Sequence, residues 1–312
     1  MAGRPTSISS VHIPNAQMTK VAIEYPVQSF ISEQAAPALT VIKESDVYYK
    51  FKKSHLIPTN DERAINTKAK RIMWEIESTP TYVCTEYTLE SILADRIRDN
   101  QDPPIKSDIT TVQNLVQVHL MNQEVRTKAL YATRDAAGAA YIPNPLWNAA
   151  LPTIEADIDA AMERIALSFG TAPNTIIMNE TVYKVVKKDP TLRALWKYLP
   201  IPAEQIFSLE KMFALMFGIN NFLVAGAVYN TANKGQTESL SRLWGENVYF
   251  AYLEPQPDLM RASFAYNINT KRKQISNRRD EDYDGTVYRV KSIQTEKVIS
   301  SEACECLPSV LA

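Results

Sequence analysis

Glycine is scarce, with 8 in 312 residues, where an average chain carries roughly 7%. The few present are dispersed, so neither a G-x-G-x-x-G turn nor a nucleophile elbow can be built. No Gly-Lys-Ser/Thr exists to cradle a phosphate. Cysteine is rarer still: Cys84, Cys304 and Cys306 are odd in number and lack framework spacing, which argues against a secreted disulfide scaffold. The 3 histidines, His12, His55 and His119, form no H-E-x-x-H and no zinc-ligand spacing. No charged-then-apolar leader opens the chain, and a protein assembled inside a cell is expected. Neither sign of charge is in excess: 34 Lys+Arg stand against 35 Asp+Glu, a net charge of -1. General affinity for nucleic acid needs many phosphate-neutralising cations, and that balance does not supply them.

One run is long enough to be a bilayer span. Met212 to Asn233 contains no charged residue. Gly218, Asn220 and Asn221 interrupt it, however. Leu209, Met212, Phe213, Met216 and Phe217 before them follow helical spacing, and Phe222–Ala225 after them reads as a strand. A buried helix, a stop and a buried strand account for the run, and no membrane segment is expected.

What is present is a folded composition, 45% apolar and 22% charged, on a chain long enough to enclose a sizeable core. Residues 1 to about 44 form no regular element by pattern. Pro5, Pro14, Pro26 and Pro37 punctuate them and impose extended geometry on their predecessors. The apolar residues of this arm, among them Ile13, Val21, Ile23, Phe30 and Ile31, are too many for a free tail, so another surface should receive them. Val47–Phe51 is β-rich, and Ile72, Trp74 and Ile76 alternate with Met73, Glu75 and Glu77. These two runs, with charged residues 52–71 between them, predict a long two-stranded ribbon. A lone ribbon has no core of its own, so something outside it should cover Tyr48 and Trp74.

The spacing of Leu89, Ile92, Leu93 and Ile97 predicts a helix near Thr88 to Arg98. Asp108 to about Ala132 predicts one long helix of about 37 Å, with Ile109, Val112, Leu115, Val116, His119, Leu120 and Leu130 on its apolar stripe. His119 is read as packed helix residue rather than base. Beyond Trp147, Thr153 opens a helix closed by Gly170, Thr175–Met178 is a short buried strand, and Asn179 caps the next helix, which Asp189-Pro190 stops. The stretch Leu243–Tyr252, "LWGENVYFAY", then crowds aromatic residues onto one strand. Leu259–Thr270 and Thr286–Val298 are strand-like, and Asp284-Gly285 between them suits a hairpin turn.

Three clusters compete for a chemical role. Asp280, Asp282, Asp284 and Gly285 match the start of a calcium loop, but Lys291 stands where its bidentate Glu belongs, and a charged hairpin turn is the better reading. Cys304-Glu305-Cys306 has no companion ligands and reads as free thiols near a strand. Arg278-Arg279 and Lys271–Lys273 lie beside enough acid to form a paired turn or an intersubunit ion-pair site rather than a phosphate patch. No catalytic, cofactor or metal residue is expected, and no cofactor.

The order of elements resembles the major capsid (coat) protein of tailed bacteriophages, whose fold also builds encapsulin shells. Trp147 to Leu199, "WNAALPTIEADIDAAMERIALSFGTAPNTIIMNETVYKVVKKDPTLRALWKYL", is similar to that family's run of Trp, helix, G-x-x-P-N, buried strand and helix. "MFGINNFLVAGAVYNTA" followed by "LWGENVYFAY" resembles its ending, and "EYTLESILADRI" with "VQVHLMNQEVRTKAL" fits the helix pair that includes the spine. The resemblance runs from about residue 45 through degenerate apolar patterns rather than catalytic signatures.

It implies an α+β chain with the phage-capsid fold: an extended N-terminal arm (1–46), an elongated β-ribbon loop (47–80), a peripheral domain with a long spine helix (81–146), an α/β axial domain (147–252) and C-terminal strands completing the peripheral domain (253–312). It also implies a structural protein of the virion that is not an enzyme. Such a protein assembles with itself into hexamers and pentamers in the host cytoplasm and forms an icosahedral or prolate shell around DNA that it contacts weakly. Only about 45 residues precede the ribbon, so a separate scaffolding protein is expected, with a portal and a decoration protein as further partners. Some relatives crosslink this loop through Lys and Asn; Lys52, Lys53, Lys68 and Lys70 are present, but no catalytic Glu can be matched. The residues expected at the subunit interface are Tyr48, Tyr49, Phe51, Lys52, Lys53, Arg63, Arg71 and Trp74 on the ribbon, with Arg278 and Arg279 at the C-terminal turn. Tyr249 and Tyr252 are expected in the core or at an interface, and Trp244 and Gly245 at a packed corner. An encapsulin-like cargo compartment and an α+β enzyme are the competing readings.

Overall fold

The computed structural model describes residues 30–48, 50–51, 53, 57–58, 60–63, 65, 67–69, 71, 76–100, 107–196, 209–233 and 235–311. Its first elements fall in the stretch read from sequence as an arm without regular structure. They are a four-residue helix, α1 (Ser32–Ala35), and the strands β1 (Ala38–Thr40) and β2 (Ser45–Val47). No local propensity announces them, because all three are held by partners elsewhere in the chain: α1 by side chains far along it, β1 by parallel pairing with residues Asn267–Asn269, and β2 by antiparallel pairing with Thr81–Val83.

The ribbon is present at its root. β3 (Lys50–Phe51) pairs antiparallel with β4 (Ile76–Ser78), and β2 pairs with β5 (Thr81–Val83). Residues 72–75, including Trp74, lie outside the described residues.

The helix expected near Thr88–Arg98 is instead a ten-residue strand, β6 (Thr85–Ala94), followed by one short helical segment, α2 (Asp95–Asp99). The misleading signal was Leu89, Ile92 and Leu93, which satisfy helical spacing. In the fold Leu93 is buried and Leu89 half-buried, while Ile92 points out, the alternation of a strand. Ten-residue pairing of β6 with Gly285–Gln294 decides the matter, and Thr85, Tyr87, Thr88 and Ile92 suit it.

The long helix appears as expected: α3 (Ser107–Ala132), 26 residues, followed by α4 (Asp135–Gly138). Next come α5 (Ile154–Phe169), β7 (Thr175–Asn179), α6 (Glu180–Val186), α7 (Pro190–Trp196) and α8 (Leu209–Phe217). The punctuation works as read. Gly170 ends α5 at φ 90, a left-handed conformation that favours glycine. The Asn179 side chain caps α6 by accepting from Val182 N at 2.8 Å. Asp189-Pro190 both stops α6 and starts α7, with Asp189 Oδ2 accepting from Leu192 N at 2.8 Å and Pro190 in the first helical turn. Thr153 differs: its hydroxyl bonds Asp157 Oδ2 at 3.2 Å and caps no backbone N–H.

The remaining strands are β8 (Asn221–Ala225), β9 (Val228–Asn230), β10 (Leu240–Arg242), β11 (Val248–Ala251), β12 (Ala265–Asp280), β13 (Gly285–Val298) and β14 (Cys304–Leu307). Two four-stranded sheets organise them, in the orders β1-β12-β13-β6 and β14-β11-β7-β8, with β9 and β10 as a separate pair. The β12–β13 hairpin turns over residues 281–284, with Asp280 opposite Gly285, so Gly285 opens β13 instead of sitting in the turn. Gly285 is required there, since a Cβ would lie 2.7 Å from the Leu93 carbonyl oxygen of β6. The chain does not end in the hairpin's sheet: β14 crosses to pair antiparallel with β11. Residues 253–312, grouped together from sequence, thus serve both sheets.

The hairpin sheet is covered on one face by α3, through Val112, Leu115, Val116 and Leu120 against Ile275, Tyr288 and Val290. The other sheet is covered on both faces. Ile158 and Ile165 of α5, Val182 of α6 and Phe213 of α8 pack with Val248 and Phe250. Tyr131, Trp244, Tyr249 and Phe264 form the opposite layer. Among the described residues, no helix is long and apolar enough to cross a membrane.

Candidate assembly surface

The residues expected at a subunit interface separate into four groups. Tyr48 corrects the expectation: it is 3% exposed and packs with Leu39, Tyr82 and Tyr266 of its own chain. The reason is that the β2–β5 pair lies on the hairpin sheet instead of standing free of it. Arg278, Arg279 and Lys53 are engaged within the chain. Arg278 pairs with Asp280 at 3.3 Å, Arg279 with Asp95 of α2, and Lys53 with Glu302 and the Ser168 carbonyl. Arg63 and Arg71 are exposed. Tyr49, Lys52, Trp74 and the Phe51 side chain lie outside the described residues.

The ribbon root is tied to the body by the ion pair of Lys53 with Glu302. Lys50 meets Glu77 across the ribbon at 3.3 Å, and Lys53 reaches the end of α5. Beside them opens a cleft of about 660 Å³, lined by Phe169, Tyr252 and Met260 together with Lys50, Lys53 and Glu77. Farther along the ribbon, Ile57 and Ile65 are 66% and 93% exposed. Val118 and Val125 project from the outer side of α3, and Val228, Tyr229 and Leu240 from the β9–β10 pair. Large apolar side chains left out in several places mark contact surface better than they mark a ligand pocket.

The titratable groups singled out from sequence serve the fold. His119 is buried, with Nε2 2.9 Å from Ser292 Oγ, and its pKa is pushed down to about 4 by burial, then by Arg126 and Lys273. It stays neutral at physiological pH. Cys84, Cys304 and Cys306 are buried free thiols, and burial pushes the Cys304 and Cys306 thiols up, away from the reactive thiolate. In the acidic turn, Asp280 Oδ1 accepts from Asp282 N at 3.2 Å while Oδ2 holds Arg278.

Sequence reasoning missed two buried acids. Glu124 of α3 is 0% exposed. Its Oε2 accepts from Ile31 N at 3.0 Å and Ser32 N at 2.6 Å, and its Oε1 from Trp244 Nε1 at 2.6 Å. Burial pushes its carboxyl above the usual range, and the three donors act in the opposite sense. A signal existed, since Glu124 follows Val116 and Leu120 at intervals of four on the buried stripe. Glu305 of β14 lies 3.6 Å from both Arg134 and Arg164, joining the end of α3 to α5; nothing in its sequence context marks it.

The chain matches no family model. It is 23% identical over 295 residues to the major capsid protein of Burkholderia phage BcepMu, covering 88% of this chain and 89% of that protein. Its fold is similar to that of a phage-related protein from Bordetella bronchiseptica, with a TM-score of 0.71 at 20% identity over 95% of this chain and 96% of that one. It is also similar to the capsid of cyanophage P-SCSP1u, with a TM-score of 0.54 at 9% identity over 98% and 95% of the two chains.

The chain has the phage-capsid fold. A virus-like particle from Pyrococcus furiosus is also similar in fold, with a TM-score of 0.53 at 9% identity over 93% of this chain and 95% of that one.

Proposed function

We propose that this chain is a major capsid protein, a structural subunit that assembles with itself into the head shell of a tailed phage. The observation that carries the reading is the likeness to a phage major capsid protein across 88% of the chain; exposed apolar residues on a ribbon without its own core agree with it. The work of such a protein is self-association through heterologous contacts that close around rings, and no catalytic role is assigned to any residue. Residues 47–80 serve as the elongated loop, 81–146 with most of 253–312 as the peripheral domain, and 147–252 with β14 as the axial domain. The ribbon residues Phe51, Lys52, Arg63, Arg71 and Trp74 reach a neighbouring subunit. Capsomers are hexamers and pentamers, with a separate scaffolding protein, a portal and a decoration protein as partners. The shell is built in the host cytoplasm and holds DNA without strong contacts.

Negative-stain microscopy of the purified chain, alone and co-expressed with its scaffold, tests this reading. Megadalton shells are expected; discrete small oligomers under both conditions would sink it. Packaged DNA distinguishes a phage head from a protein-cargo compartment. Trp74→Ala sharpens the ribbon assignment: particle yield should fall while the melting of the free chain stays nearly unchanged. Equal damage to both would remove Trp74 from the interface.

A further inference from the structure

The start of the described chain is held to the body by contacts that converge from three directions. Glu33 of α1 pairs with Arg272 at 2.8 Å and with Lys273 at 3.0 Å, on an irregular stretch of β12 where Lys273 itself has φ 37. Tyr131 OH donates to the Ala35 carbonyl at 2.8 Å. The third hold is Glu124, and it differs in kind. It is one fully buried carboxylate with an oxygen on each of two structures: the backbone N–H groups of Ile31 and Ser32 on Oε2, and the indole N–H of Trp244 on Oε1. Trp244 closes the corner that leads into β11, with Tyr131 at 5.4 Å and Tyr249 at 6.0 Å between ring centroids.

All three groups around this carboxylate are donors, and each would be left unsatisfied in a dry site if the carboxylate turned to the others. An acid so placed cannot release one side without rearranging on the other. We propose that Glu124 is a positioning residue that makes anchorage of the N-terminal arm and packing of the Trp244 corner a single cooperative unit. The arm's point of departure is then set by the spine helix and by an indole far downstream in the chain. The consequence for assembly rests on the capsid reading: the segment 31–36 is tied through Glu124 to the corner that leads into β11, so movement of that corner is transmitted to this segment.

The test is hydrogen–deuterium exchange of the peptide spanning residues 31–36 in the free full-length chain. Glu124→Gln should raise its exchange rate at least tenfold. Trp244→Phe, which keeps a ring but removes the N–H, should raise it several-fold. Combining the two should add nothing beyond Glu124→Gln alone, because both act through the same carboxylate. Val186→Ala, which opens a cavity in the cluster on the other face of the sheet, controls for general loosening and should leave the 31–36 peptide unchanged. The proposal is overturned if Trp244→Phe leaves arm exchange at the wild-type rate, if the two substitutions are additive, or if Val186→Ala has the same effect as Trp244→Phe. Should Glu124→Gln not fold, Trp244→Phe against Val186→Ala decides alone. The readout does not require particles, so failure of the capsid reading and failure of this one are seen separately.

Discussion

In the sheet β14-β11-β7-β8, every residue of β7, β11 and β14 is buried. In β6 of the other sheet exposure alternates from Glu86 onward, and Glu86, Thr88, Glu90 and Ile92 face outward. The first sheet is closed by helices on one side and by an aromatic layer on the other. The second has α3 on one face and, on the other, cross-strand ion pairs such as Glu86–Lys291 at 2.7 Å and Glu90–Arg289. One half of the molecule is complete as a single chain. The other keeps a solvated, charge-laced face, and between β3 and β4 lie the exposed Ile57 and Ile65; both can meet another subunit without the free chain collapsing onto itself.

Substitutions can break or sharpen this contrast. Phe250→Ala, in the closed sheet at 0% exposure, should cost about 3–5 kcal/mol, measured by urea unfolding of the free chain; a loss under 1 kcal/mol would mean that the closed sheet is not the stable half. A pH dependence comes next. His119 is held neutral, its pKa pushed down by burial from the ordinary 6.5 to about 4, so its contribution is complete above pH 6.5 and is lost as pH falls towards 4. That amounts to about 3 kcal/mol. His119→Gln, which can still bond Ser292, should flatten unfolding free energy between pH 4 and 6.5; an unchanged slope would assign the acid sensitivity elsewhere.

A smaller loss is expected for Arg126→Met. Arg126 donates to both oxygens of Glu296, at 2.9 and 3.1 Å, and the Glu296 side chain is 3% exposed. Leaving that carboxylate without its cation, with Gln294 still donating to it, should cost about 2 kcal/mol of unfolding free energy. The smallest effect belongs to the open face. Ile92→Ala should stay within about 0.5 kcal/mol in the free chain, and a larger loss in assembled particles would show that a neighbour covers it. A loss above 2 kcal/mol in the free chain would contradict the contrast itself.

The long helix, the strand–helix succession from Ile154 to Ala225 and the caps at Asn179 and Gly170 were legible because each depends on neighbours a few residues away. The β6 segment was not, since the periodicities of Leu89, Ile92, Leu93 and Ile97 fit a helix until a ten-residue partner strand is supplied. Among the interface candidates, Tyr48 was readable as a residue needing cover but not as one covered by its own chain. Glu124 was visible on the buried stripe of α3, yet its three donors come from both ends of the sequence and no local pattern names them.

By itself, the sequence determined that this chain has an α+β fold, a helix long enough to be a spine, and none of the local motifs by which phosphate, metal or nucleophile sites announce themselves. Those are matters of composition, spacing and short-range hydrogen bonding. Only the tertiary structure decided that β6 is a strand, that residues 31–40 are anchored in the body, and that the last strand returns to the first α/β sheet. Each of these rests on pairing or burial between residues more than ninety positions apart, or fifty or so in the case of β14 and β11. The free energy of such contacts appears only when the whole chain has closed around them.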